Sequence, residues 1–62
     1  MFKMIEIVAV SPQGFSEAAA AGVEQLASEG FKIHFFEVVE LRGAVREGRV
    51  KEFQVKIKAA VE

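Results

Sequence analysis

Apolar positions along the chain fall into four patterns, each with its own period. From Phe2 to Val10 they run almost unbroken and are mostly β-branched or aromatic, over a length too short for a stable helix. That combination predicts a first strand. Lys3 and Glu6 lie on its opposite faces, so the alternation is imperfect. Ser11-Pro12 ends it, because proline has no N–H for an interior ladder. The same pair predicts a helix entry, with serine as cap and proline in the first turn, while Gly14 leaves the exact start open. From Phe15 the spacing turns to three and four: Phe15, Ala18, Ala19, Gly22, Val23, Leu26 and Ala27 make one apolar stripe. Glu17, Glu24, Gln25 and Ser28 lie off it. The stripe is mostly alanine and glycine, which predicts a close approach to whatever covers it. Gly30 is a natural left-handed stop.

A third element is predicted from Phe31 to about Ala44. It is apolar on both parities around Phe35, Phe36, Val38 and Val39, which predicts burial on both faces there. A turn follows within Val45 to Arg49, with Glu47-Gly48 at the corner. The last element alternates cleanly. Phe53, Val55, Ile57, Ala59 and Val61 face one way, and Glu52, Gln54, Lys56 and Lys58 face the other. A strand, a returning helix and a second strand leave the two strands pointing the same way. The hairpin then sends the final strand back between them. The expected fold is α+β: a β-α-β-β chain with a three-stranded antiparallel sheet in the order 1-3-2, curled over one helix.

Composition narrows what such a fold can do. At 62 residues and 6.8 kDa the chain is a single domain, 1–62. Nine acidic and eight basic side chains give a net charge of -1 and a pI near 5.8, without the basic footprint of a nucleic-acid binder. The absence of cysteine removes disulfides, thiolate zinc sites and thiol catalysis. The longest uncharged stretch, Ile7 to Ser16, is far short of the roughly 20 apolar residues of a spanning helix. With no basic-then-apolar leader at the N-terminus, the expectation is a soluble, cytoplasmic protein.

The apolar content then becomes a difficulty. A chain of this mass goes from about 9,900 Å² unfolded to roughly 3,900 Å² folded. If about 60% of the buried area is apolar, the hydrophobic gain is on the order of 90 kcal/mol. Ordering the chain costs about the same, at roughly 1.5 kcal/mol per residue. With 52% hydrophobic residues and a mean hydropathy of +0.26, there is more apolar surface than so small a domain can hide. An obligate homo-oligomer is expected.

Little in the chain suggests catalysis. His34 is the sole histidine and reads as an exposed or half-buried strand residue. No nucleophile–base–orienter set can be assembled around it. Glu37 and Glu40, three apart on a strand, are expected on opposite faces, so that no single subunit pairs them; each is read first as solvated or salt-bridged, with a metal site across a subunit axis as the lesser alternative. Gly43 and Gly48 lack the spacing and the following helix of a phosphate loop. The aromatic cluster Phe31, Phe35, Phe36 and Phe53 reads first as core. At least one of Phe35 and Phe36 must nevertheless face away from the helix, where it could serve as a platform for a flat ligand. Gln54, on the polar face, offers both a donor and an acceptor to a heterocycle edge.

Three blocks in this order carry a family resemblance: Ile5 to Pro12 (Ile-Glu-Ile-Val-Ala-Val-Ser-Pro), Phe35 to Gly43 (Phe-Phe-Glu-Val-Val-Glu-Leu-Arg-Gly) and Val50 to Val55 (Val-Lys-Glu-Phe-Gln-Val). Together they resemble the dodecins, small flavin-binding proteins, over essentially the whole chain. The resemblance implies a hollow spherical dodecamer that stores or sequesters flavin (riboflavin, FMN or lumichrome) between subunits, and no enzyme activity. It places Phe35 where the family has a flavin-stacking tryptophan, and Gln54 where a glutamine bonds the ring edge. Arg42, before Gly43, stands where some members contact the phosphate of FMN or of coenzyme A. Phenylalanine in place of tryptophan implies less stacking area and less electron-donating power. The ending Ala59-Ala60-Val61-Glu62 is shorter than usual, which implies fewer contacts from a tail. The other implied function is an oligomer that has lost flavin and serves as a structural particle or a carrier of coenzyme A or metal ions.

Overall fold

The structure, a computed structural model, describes all residues from Met1 to Glu62. Four elements follow one another: β1 (Lys3–Ser11), α1 (Phe15–Ser28), β2 (Ile33–Arg46) and β3 (Arg49–Val61). The strands form one antiparallel sheet in the order β1-β3-β2, as the strand lengths and the returning helix require.

The helix begins later than the Ser11-Pro12 signal implies. Ser11 remains in the ladder opposite Phe53, and its Oγ accepts the Gln13 N–H at 3.1 Å. That local turn uses up the serine, so Gly14 becomes the residue before the helix and caps it with no side chain. The other end is as expected. Gly30, at φ +98°, donates to the Ala27 carbonyl, and Phe31 donates to Leu26. These two bonds satisfy the last carbonyls in a Schellman arrangement, with Phe31 packed beside Leu26.

Glu47 and Gly48, both at positive φ, form a two-residue loop between the paired Arg46 and Arg49. This is the turn whose twist matches the strands it joins. Strand β2 therefore runs two residues further than expected.

The small-residue stripe of α1 does bring it close to the sheet. A Cβ added at Gly22 would lie 2.8 Å from the Ala9 Cβ and 3.3 Å from Ile7 Cδ1. Ala18, Val55 and Ile57 form one buried cluster, and Leu26, Ala59 and Val61 another. A 14-residue helix is about 21 Å long, whereas a strand of the same length spans about 46 Å. The helix therefore covers β1 and part of β3, and the β2–β3 hairpin projects beyond it.

The shape records that mismatch. The radius of gyration is 12.4 Å, against about 10.6 Å for a compact chain of this length. The exposed surface is 4392 Å², above the roughly 3,900 Å² expected of a folded chain this size. No residue of β2 is buried, so the double burial expected around Phe35 to Val39 is not met within one subunit. The aromatic residues also do not form one core cluster. Phe53 meets Phe15 edge-on at 5.0 Å, Phe31 packs near Leu26, and Phe35 lies elsewhere beside Phe2.

Candidate functional site

The register decides which side chains share a face. In β3, Val55, Ile57 and Ala59 point to the helix, so Gln54, Lys56, Lys58 and Ala60 point away. Their partners on β2 are Arg42, Glu40, Glu37 and Phe35. All four therefore lie on the outer face of the sheet, although a regular strand could not place them together.

Of two bulges in β2, the second makes this possible. His34 and Val39 are extra residues with no opposite number on β3. The Val39 bulge corrects the expectation for the two glutamates: Glu37 and Glu40 share a face, opposite Lys58 and Lys56. Glu40 reaches Lys56 at 3.7 Å in a half-exposed pair, and Glu6 flanks Lys58 from β1. The His34 bulge turns Phe35 outward while Ile33 still faces the helix side opposite Val61.

Arg42 and Gln54 meet directly. Arg42 Nε donates to Gln54 Oε1 at 2.7 Å, and Gln54 Nε2 donates to Glu52 Oε2 at 2.8 Å. Phe35 is at the other end of the face, in a row with Ala60 and Met4. Ala60 is fully buried there, and Phe35 is 46% exposed. Ala60 lies six positions along β3 from Gln54, so Phe35 stands about 20 Å along the strand from the Arg42–Gln54 pair. One subunit thus brings together two of the three candidate residues and holds the third apart.

Two neighbours of these residues escaped the sequence reading. Phe2 meets the Phe35 ring edge-on at 5.7 Å and tilts over His34 at 4.7 Å. Glu52 anchors Gln54. Its signal was present in the alternation, because residues two apart on a strand share a face. His34 itself is paired with Glu62 at 3.1 Å, as a half-exposed strand residue. No helix is long and apolar enough to cross a membrane.

A helix backing a three-stranded sheet of order 1-3-2, with a second face carrying apolar, charged and amide side chains, defines a small α+β subunit. The dodecin family model matches residues 1–62. The curated dodecin of Thermus thermophilus is 34% identical over 55 residues, covering 89% of this chain and 80% of that one. The structure of the Streptomyces coelicolor dodecin superposes with a TM-score of 0.94 at 30% identity, covering 98% of this chain and 87% of that one. A variant of the T. thermophilus dodecin with a tryptophan replaced by phenylalanine gives 0.89 at 34% identity, covering 98% and 91%. The chain belongs to the dodecin family, whose members are known as flavin-binding proteins.

Proposed function

We infer that this protein binds a flavin, riboflavin or FMN, at the interfaces of a cytoplasmic homododecamer, and that it holds the flavin without catalysing a reaction. The observation that carries this reading is the composition of the outer face. An exposed ring, Phe35, and a polar pair, Arg42–Gln54, lie on a sheet whose subunit cannot bury its own apolar surface. The ring offers a stacking plane. The glutamine offers a donor and an acceptor to a heterocycle, and the arginine a charge-assisted donor to a phosphate, of FMN or of coenzyme A. Because Phe35 and Gln54 of one subunit are about 20 Å apart, a ring touching both takes them from different copies. Assembly and binding then belong to one design.

Titration of riboflavin and FMN, followed by the anisotropy of flavin fluorescence, which rises on binding even where the emission is kept, tests this reading. Saturable binding is expected, and none at tens of micromolar protein sinks it. Native mass spectrometry should give about 12 × 6.8 kDa, near 82 kDa. A stable, well-folded monomer contradicts the assembly.

Phe35 in the stacking position also motivates the second reading, a dodecin-fold carrier of another ligand. Flavin binding that appears only in Phe35→Trp decides for it.

A further inference from the structure

The three polar side chains at the far end of the outer face differ in what they can donate. The Arg42 guanidinium only donates, and the ionised Glu52 carboxylate only accepts. Gln54 lies between them, with Arg42 on its carbonyl oxygen at 2.7 Å and Glu52 on its amino group at 2.8 Å. Turning the amide over would set its N–H group against the guanidinium and its oxygen against the carboxylate. Both bonds would become repulsive contacts. Gln54 and Glu52 are half-buried, so water does not readily replace the bond between them, whereas the Arg42 end is open to solvent.

A glutamine fixed in this way still has one free N–H and one free lone pair, and their order along the face is set. We propose that Glu52 is a positioning residue of this site. It holds the Gln54 amide in place, so that its free N–H and free lone pair meet a ligand edge with an acceptor beside a donor, the N–H and either carbonyl of a cyclic imide. This deepens the flavin reading and rests on it for the ligand, because the pyrimidine edge of a flavin is such an imide. The orientation of the amide rests only on the two hydrogen bonds.

The experiment has one arm for each. In the free protein, the Gln54 side-chain amide protons are followed by heteronuclear NMR against those of Gln13 and Gln25. One Gln54 proton is expected downfield of the others in the wild type, and back among them in Glu52→Ala. A Gln54 pair unaffected by Glu52→Ala overturns the proposal without any flavin present. In the second arm, dissociation constants are measured for a flavin and for its N3-methyl analogue, which lacks the imide donor. The wild type should prefer the unmethylated ring by about fivefold, the scale of one net hydrogen bond.

Glu52→Lys places a donor where the acceptor stood, and the preference should fall to within about twofold. Glu52→Gln, which keeps an acceptor oxygen, should restore it. A purely structural role for Glu52 would weaken both ligands equally and leave their ratio unchanged, and that result overturns the proposal. If Glu52→Lys does not assemble, Glu52→Ala is read in its place for the same loss of preference. If the wild type binds neither flavin, the flavin reading fails and the imide selection with it, while the NMR arm still decides the orientation.

Discussion

Replacing Gly22 by alanine tests whether the distance between helix and sheet is set by a missing side chain. The new Cβ would lie 2.8 Å from the Ala9 Cβ, 3.3 Å from Ile7 Cδ1 and 3.4 Å from Ile57 Cδ1. The two isoleucine methyls sit at the ends of side chains and can yield. The Ala9 Cβ is fixed to the backbone of β1 and cannot. Carbon atoms pack best at about 3.5–4.0 Å, so α1 must retreat by roughly 0.7 Å or more at this point. Overpacking of that kind costs about 1–3 kcal/mol. Alanine in a helix interior gains about 1 kcal/mol over glycine. The net cost expected for Gly22→Ala is therefore about 0–2 kcal/mol, a range too wide to be decisive alone.

The double mutant sharpens it. With Ala9→Gly the obstructing carbon is gone, and Gly22→Ala should stabilise by close to the full propensity gain of about 1 kcal/mol. The coupling between the two sites is then on the order of 1–3 kcal/mol. The four proteins would be unfolded in urea at one protein concentration and followed by circular dichroism, with native mass spectra to check that assembly is equal. Effects that add to within about 0.3–0.5 kcal/mol would refute the reasoning, since independent sites behave that way.

Glu47 has a left-handed φ of 54° without being glycine or asparagine. Glu47→Asn should stabilise the hairpin by about 0.5–1 kcal/mol, read as a rise in the urea midpoint. Gly30→Ala, at φ +98°, should cost about 1 kcal/mol in the same assay, although nothing lies within reach of the new Cβ. The chain has no tryptophan and no tyrosine, so bound flavin should keep most of its emission. Phe35→Trp should quench that emission and tighten binding by about 0.5–1.5 kcal/mol, measured in one titration. Leu41→Glu, on the helix-facing side of β2 opposite buried Val55, should give smaller particles in native mass spectra.

What the sequence disclosed was local. The helix stripe, the Gly30 stop, the Glu47-Gly48 corner and the alternation of β3 are set by neighbours a few residues apart, and all stand where the pattern put them. Strand order followed from element lengths and chirality. The bulges at His34 and Val39 were not legible, because an extra residue in a strand leaves no mark on composition when both of its neighbours are apolar or charged. Every face assignment in β2 depends on them, which is why Glu37 and Glu40 were expected on opposite sides. Phe35, Arg42 and Gln54 could be named from the sequence, but not the spacing among them, because that requires the register. Ser11 had two local uses, a cap and a turn, and the ladder partner Phe53 decided between them.

On the proposed reading, the 20 Å between Phe35 and Gln54 makes each subunit a donor of two half-sites rather than the owner of one. A ligand held between halves is itself a crosslink, so its occupancy and the cohesion of the particle are linked by mass action. Ligand should protect the particle against dilution, and dilution should empty it. Release would then need no lid and no competing molecule, only subunits that separate.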